Sequence, residues 1–242
     1  MTDPDLIREG EIYRKRFLLS LLIPATLVFL MWCVKLVETL FGTEFTGLGI
    51  YPLEIRGMPG IILSPFIHSG FRHLFDNSLP FLLLSTALFF FYREIALRIF
   101  ILNWFITGLL VWFGGRAAWH IGASGLVYGL ASFLFFSGII RKYYRLVALS
   151  LLVVFLYGQM VWGIFPDIYK NVSWESHMLG FFSGVVLAVI FHKQGPQAPV
   201  QEWPEDDEER GGEWESGRRG DEERVGEWEK GGKEEGEREH LR

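Results

Sequence analysis

Long apolar runs alternate with short polar connections up to about residue 192, and the chain then becomes strongly polar. An α-helix needs roughly 20 apolar residues to cross a bilayer, and six runs approach or exceed that length. They cover residues 17–41, 73–92, 95–113, 123–140, 143–164 and 174–192. The pattern predicts an all-α polytopic membrane protein with six transmembrane helices.

The basic residues predict the orientation of these spans. With the N-terminus inside, nine Lys or Arg residues flank the inner span ends and four flank the outer ends. Cytoplasmic segments of membrane proteins carry such an excess of Lys and Arg. We therefore expect both termini in the cytoplasm, with residues 1–16 as a cytoplasmic N-terminal segment. A short chain without a transit peptide is typical of the bacterial inner membrane, which is the expected location.

Residues 195–242 differ from the rest of the chain in charge. They hold 17 acidic and 8 basic residues, a net charge of −9, whereas the whole chain carries −5. Such a segment buries too little apolar area to offset the entropy that ordering costs. We expect a disordered, acidic, low-complexity tail after a membrane domain over residues 17–194.

Four polar residues share one depth in the predicted bundle. His73, Asn77, Ser124 and His177 all fall in the first turns of spans that run from outside to inside. Polar residues within a membrane are expensive and often functional. Small residues beside Ser124 are also compatible with simple close packing, and the other three residues with capping or with hydrogen bonds between helices. The common depth favours one joint site near the outer surface.

Glycines recur at three- or four-residue spacing in two spans, as Gly125 and Gly129 in the fourth and Gly180 and Gly184 in the sixth. Residues with this spacing share a helix face, and two bare faces allow helices to approach closely. We therefore expect spans four and six to pack together and to bring His177 towards the serine of span four.

A histidine base beside a serine is the minimum set for an activated nucleophile. On this hypothesis Ser124 attacks and His177 accepts its proton, while Tyr128 stacks on the imidazole from the Ser124 face. Acyl transfer also needs hydrogen-bond donors for an oxyanion. The free N–H groups at the start of span four, together with His73 and Asn77, are the candidate donors.

In this combination and order, the residues resemble the rhomboid family of intramembrane serine proteases over roughly residues 64–192. The matching motifs are His73-x-x-x-Asn77, Gly122-x-Ser124-Gly125 with Tyr128, and His177-x-x-Gly180-x-x-x-Gly184, and His68 and Glu94 also match family positions. Each motif is weak alone, whereas the ordered set is specific.

The resemblance implies a bundle of six helices around a water-filled cavity that opens to the outside. It implies a catalytic dyad of Ser124 and His177 without a required carboxylate. It also implies an oxyanion hole formed by His73, Asn77 and the Ser124 backbone N–H, with Tyr128 stacked on the base. The implied substrates are transmembrane helices of other proteins, which enter sideways from the lipid bilayer and are cut near small or helix-breaking residues.

Three features depart from the family pattern. Ser176 precedes the histidine where alanine is commoner, and the first outer loop lacks a Trp-Arg pair that is often found there. Asp76 stands beside Asn77 where the family often has an apolar residue. A third catalytic carboxylate is one interpretation. We favour an Asp76 that is solvated or paired with arginine, because neighbouring helix positions point in different directions.

Two other functions fit parts of the pattern. A catalytically inactive relative that binds membrane clients would share the fold, although the intact Ser124 and His177 argue against it. A small transporter or channel would show charged or broken spans at mid-membrane, and the span interiors here lack charges. No ligand spacing indicates a metal or cofactor, and no basic, aromatic-rich surface indicates nucleic acid.

Overall fold

A computed structural model describes residues 4–166 and 173–197, and its regular structure there is helical apart from one antiparallel bridge between Ile50 and His120. Over these residues the α-helices are α1 (Pro4–Phe41), α2 (Gly60–Leu63), α3 (Phe71–Phe91), α4 (Ala96–Gly114), α5 (Ser124–Arg141), α6 (Tyr144–Tyr157) and α7 (Trp174–Ile190). Short 3-10 helices cover Thr46–Leu48, Ile55–Gly57, Ser64–Phe66 and Gly158–Ile164. The predicted all-α class is confirmed for the described residues.

Four of the helices, α1, α3, α4 and α5, are long and apolar enough to cross a membrane. The helices α6 and α7 are also apolar but shorter, with 14 and 17 residues. The predicted fifth span over 143–164 is interrupted, because its α-helix ends at Tyr157 and continues as a 3-10 helix from Gly158. Glycine is a poor helix former, which fits this change. The protein is a multi-pass membrane protein.

The first helix begins earlier than its apolar run. The hydrophobic residues start at Phe17, whereas α1 already begins at Pro4. Proline is well tolerated in the first turn of a helix, where its missing N–H has no intrahelical acceptor. Most of the expected N-terminal segment is therefore a polar extension of the first helix.

The central helix of the bundle is α5, which contacts α3, α4, α6 and α7. Of the 18 residues of α5, 67% are buried within the protein, whereas 17% are buried in an apolar 18-residue stretch of α1. A helix that is apolar on all sides is expected in such a buried position. Fully or almost fully buried core residues on α3, α4, α5 and α7 are Phe81, Leu84, Leu88, Ile99, Phe100, Leu126, Leu130, Phe133, Leu134 and Leu187.

The long connection between α1 and α3 packs against the loop that precedes α5. Ile50 and His120 exchange backbone hydrogen bonds of 2.9 and 2.8 Å. The Trp112 indole N–H donates to the Glu54 carbonyl at 3.0 Å. The Arg56 guanidinium lies over the rings of two aromatic residues, Tyr51 and Trp119. These contacts hold the loop that leads into Ser124.

The chain after α7 is anchored by a buried arginine. Arg141 donates to the Ser137 hydroxyl at 2.8 Å and to the Phe191 and Pro196 carbonyls at 2.8 and 2.9 Å. These bonds satisfy a charged group that would be costly to bury alone. The expected disordered tail lies outside the described residues from residue 198 onwards.

Candidate active site

Ser124 is the first residue of α5 and is half-buried. Just before it, Gly122 has φ = +101°, a conformation that favours glycine, and its N–H donates to the Ser64 carbonyl at 2.9 Å. A methyl group at Gly122 would lie 2.9 Å from the His73 ring. This turn therefore requires glycine both for its backbone conformation and for the space that the histidine occupies.

His177 lies in the first turn of α7 and is buried. Its Nδ1 lies 2.9 Å from the Gly163 carbonyl oxygen. A carbonyl can only accept, so Nδ1 carries the proton and Nε2 holds the lone pair. The ring of Tyr128 stacks on the imidazole with centroids 4.2 Å apart and an angle of 11° between the planes. The base is thus fixed in tautomer and orientation.

Backbone contacts join α5 and α7. A methyl group added at Gly180 would collide with the Gly125 carbonyl, and one added at Gly184 would collide with the Gly129 carbonyl. The glycine spacing predicts this pairing, and the structure places the two bare faces against each other. We call this contact of α5 with α7 the glycine seam. It sets the positions of Ser124 and His177 through rigid helices.

Asn103 of α4 packs against the glycine seam from one side. The sequence analysis did not identify this residue. Its Nδ2 donates to the Leu126 carbonyl at 3.1 Å, and its Oδ1 accepts from the Ser183 hydroxyl at 3.1 Å. The amide occupies the space where Gly129 lacks a side chain. A lone amide in the middle of an apolar run is the signal that points to such a buried junction.

Ser124 and His177 line one cavity of about 650 Å³ near the start of α3, α5 and α7. His73 also lines it, as do further residues of α3, of the loop before α5 and of the α7 N-terminus. These further lining residues include Arg72, Asp76, Arg116, Trp119, His120 and Ser173. Three of the four polar residues that were predicted at one depth thus share one polar cavity, and Asn77 lies next to it.

The neighbours of His73 fix which of its nitrogens can donate. The Ser69 backbone N–H and hydroxyl lie 3.5 and 3.2 Å from His73 Nδ1. Because the N–H can only donate, Nδ1 accepts and Nε2 carries the proton in the neutral ring. The Nδ2 of Asn77 donates to the His73 carbonyl at 3.1 Å and has a second hydrogen. Both side chains lie against Gly122, next to the nucleophile turn.

Two other residues of the family pattern take different positions. His68 is almost fully buried, with its ring edge-on to His73 at 5.1 Å, and Glu94 is exposed. The side chain of Asp76 is 65% exposed, and its Oδ2 lies 3.9 Å from the Arg72 Nε. Asp76 is exposed to solvent and lies beside an arginine, as we expected, rather than being buried.

A polar chain through His120, which the sequence analysis did not single out, links the loop before Ser124 to the start of α7. His120 Nε2 lies 3.0 Å from the Arg116 carbonyl, so it donates, and Nδ1 accepts from the Ser173 hydroxyl at 2.5 Å. Ser173 caps α7 by accepting from the Ser176 N–H at 3.3 Å. A serine directly before a helix is the sequence signal that could have predicted this cap. Burial lowers the pKa of His120.

One ion pair with a buried carboxylate borders the same region. The Arg116 Nε lies 3.4 Å from Glu175 Oε1, and the Glu175 side chain is 5% exposed. Across residues 4–166 and 173–197, no three His, Cys, Asp or Glu side chains are grouped so as to hold a metal ion.

Comparisons with known proteins cover this whole region. The family described as the rhomboid domain matches residues 56–194, which include every site residue named above. Uncharacterized proteins of Mycobacterium tuberculosis and Mycobacterium bovis are each 34% identical over 178 residues, 68% of this chain and 72% of the relative. One from Mycobacterium leprae is 30% identical over 181 residues, 68% of each chain. The chain therefore belongs to the rhomboid family.

Proposed function

We propose that the protein is an intramembrane serine endopeptidase that hydrolyses peptide bonds in or near transmembrane helices of other membrane proteins. One observation carries this proposal. Ser124 and His177 line the same cavity, and the bond to Gly163 holds His177 in the tautomer that a general base needs. Proton transfer of this kind requires a positioned base with a free lone pair.

In the proposed reaction, His177 Nε2 accepts the proton of the Ser124 hydroxyl while Oγ attacks the carbonyl carbon of the scissile peptide. The imidazolium that forms donates its Nε2 proton to the leaving nitrogen, and the C–N bond breaks. A water molecule then attacks the acyl-enzyme, with His177 again as the base, and releases Ser124. The Tyr128 ring holds the imidazole plane throughout these steps.

The negative oxygen of the tetrahedral intermediate needs donors already in place. His73 Nε2–H and the second hydrogen of the Asn77 amide are available beside Gly122. The backbone N–H of Ser124 is one of the first-turn donors of α5, which have no acceptor within their own helix. Three donors on two helices then surround the oxygen of a carbonyl bound at Ser124.

We further infer six membrane crossings, with both termini in the cytoplasm of a bacterial plasma membrane and the cavity open to the outside. The 14 residues of α6 and the 7 of the following 3-10 helix rise roughly 35 Å together, enough for a hydrocarbon core of about 30 Å. The 17 residues of α7 lie at the short end of the spanning range.

Labelling with a fluorophosphonate probe tests the activated serine without knowledge of the substrate. The serine oxygen displaces fluoride from phosphorus, and the base takes up the serine proton. We expect the purified full chain to be labelled and both Ser124→Ala and His177→Ala to lose labelling by at least about a hundredfold. Ser85→Ala is the matched control, because that serine is buried in α3 away from the cavity.

The outcomes separate the alternatives. Labelling that survives Ser124→Ala would identify a different nucleophile. A folded wild type that takes no label would contradict the protease and favour a relative that only binds membrane clients. Cleavage of a transmembrane reporter by the wild type, lost in Ser124→Ala, would then establish the endopeptidase.

A further inference from the structure

A second cavity, of about 380 Å³, lies at the opposite end of the bundle and has no part in the proposed reaction. It is lined by three cationic side chains, Lys15 and Arg16 on α1 and Arg93 just after α3. The remaining lining is apolar apart from one hydroxyl and consists of Ile12, Leu19, Phe89 and Ser20. We call it the basic cavity.

Arg16 is held in place within the basic cavity. Its Nε and Nη2 donate to the Phe90 carbonyl at 3.2 and 2.7 Å, and its guanidinium lies 5.0 Å from the centre of the Phe90 ring. That carbonyl belongs to the last turn of α3, where carbonyls lack a partner within the helix. The guanidinium is therefore preorganised, and its other N–H groups remain for a ligand.

Within the described residues, the basic cavity contains cations without matching carboxylates. Elsewhere in the described residues, ion pairs join Lys35 to Glu38, Arg56 to Glu54, Arg72 to Asp76 and Arg116 to Glu175. None of these pairs involves Lys15, Arg16 or Arg93. A concave surface lined by one sign of charge attracts and concentrates ions of the opposite sign.

The three cations also flank the ends of apolar segments, where lipid phosphates are expected at a bilayer surface. Arg16 directly precedes the apolar run that starts at Phe17, and Arg93 follows the apolar end of α3 at Phe91. Both positions mark the boundary between hydrocarbon and headgroups. Basic pockets between transmembrane helices on the cytoplasmic side are known to bind acidic headgroups.

We propose that the basic cavity binds the phosphate of an anionic phospholipid. Lys15, Arg16 and Arg93 contact the phosphate, while Leu19 and Phe89 contact the glycerol and the first acyl carbons. The pairing of cations with an apolar wall favours a lipid over the acidic residues 199–242, because hydrated carboxylates would match the cations and leave the apolar wall uncovered.

Native mass spectrometry of the delipidated full chain tests this proposal. The chain is titrated with phosphatidylglycerol and, separately, with phosphatidylcholine of the same acyl chains. We expect phosphatidylglycerol to bind about tenfold more tightly, and the variant with Lys15→Gln and Arg93→Gln to lose this preference. Arg16 is left unchanged because it also caps α3. Equal affinity of the wild type for the two lipids would overturn the proposal.

A matched variant controls for net charge. Lys142→Gln with Arg145→Gln removes the same charge from the residue after α5 and from the first turn of α6, both outside the basic cavity. We expect this variant to keep the wild-type lipid preference. An equal loss in both double variants would mean that lipid binding follows the overall charge and would refute a defined site. Arg93→Gln alone replaces the first variant if its helical circular dichroism is reduced.

Two further arms identify the ligand. Inorganic phosphate at millimolar concentration should not displace phosphatidylglycerol, and complete displacement would indicate a site for free anions. Carbodiimide cross-linking of the full chain in phosphatidylglycerol vesicles should give no product that joins Lys15 to glutamates of residues 199–242. Abundant cross-links of that kind would make the tail the occupant and contradict the lipid proposal.

Discussion

The glycine seam and the opposite side of the bundle differ in how closely the helices approach. At the seam, the carbonyls of α5 fill the space of the missing side chains of Gly180 and Gly184. On the other side, α1, α3 and α6 surround a cavity of about 540 Å³. Its lining is mainly large and apolar and includes Phe17, Leu83, Phe90, Phe91, Leu149, Leu152 and Leu156. We call it the apolar cleft.

This difference separates a rigid part of the protein from a loosely packed one. Lipid is as apolar as leucine, so helices associate in a membrane through close packing and hydrogen bonds rather than through the hydrophobic effect. The seam has such close packing and holds the two residues whose relative position the proposed chemistry requires. The cleft lacks it, and Leu152 and Phe155 of α6 remain 51% and 84% exposed. The family resemblance implies that a substrate helix enters sideways, and we propose the apolar cleft as its route.

The largest expected effect comes from adding one methyl group at the seam. Gly180→Ala should lower the unfolding free energy by about 1–3 kcal/mol and reduce probe labelling, because the methyl group meets the Gly125 carbonyl. Gly114→Ala is the control, since the nearest atom to its added methyl is 3.8 Å away. Melting temperature and labelling rate would be measured for both. If the two variants behaved alike, close packing at the seam would not be what orients the pair.

A substitution in the apolar cleft should affect substrate access and leave the chemistry unchanged. Leu152→Trp partly fills the cleft and should slow cleavage of a transmembrane reporter by about tenfold, or about 1.4 kcal/mol. Probe labelling should stay at the wild-type rate, because a small probe reaches Ser124 through the cavity that Ser124 and His177 line. Leu151→Trp places the same ring on a neighbouring residue that is 64% exposed and does not line the cleft. Equal slowing by the two variants would refute access through the cleft.

The smallest expected effect concerns pH and the polar chain at the start of α7. Burial lowers the pKa of His120 below its ordinary value of 6.5, against opposing influences from the Arg116 carbonyl and the Glu175 carboxylate. The folded protein therefore holds His120 neutral, whereas the unfolded chain binds a proton as pH falls below about 6.5. Its contribution to stability is complete above that pH and decreases at lower pH.

Melting temperatures between pH 8 and pH 5 measure this contribution. His120→Gln should weaken the acid-induced loss of stability, because the folded variant no longer excludes a proton at this position. Part of the loss should remain, because burial also lowers the pKa of His68, to about 3. His192→Gln, at a half-buried histidine just after α7, is the control. A His120→Gln curve parallel to the wild type would show that His120 does not contribute.

Hydropathy predicts the bounds of α3, α4, α5 and α7 to within two residues of those observed. Apolar runs interrupted by charges and glycines mark these ends, because unpaired polar groups are costly in hydrocarbon. Hydropathy does not predict the start of α1 at Pro4, because a polar helical segment needs no apolar run. The change of helix type at Gly158 also escapes it, because the residues on both sides are apolar.

Local spacing also accounts for part of the site. The four-residue separation of Ser124 and Tyr128 places both on one face of α5, and the glycine stripes indicate which helices pair. Local spacing does not predict the hydrogen bonds that orient His177 and His120. Gly163 lies in the 3-10 helix after α6 and bonds His177 of α7, and His120 and Ser173 meet from positions 53 residues apart in the chain.

The sequence alone determines the helical class, the approximate positions of the spans and the identity of the residues that can do chemistry. These depend on hydrophobicity, spacing and side-chain type, which are local properties of the chain. Only the tertiary structure decides which nitrogen of His177 is free, how closely α5 and α7 approach, and which cations meet in the basic cavity. Those properties depend on distances between residues far apart in the chain, and helix packing sets such distances.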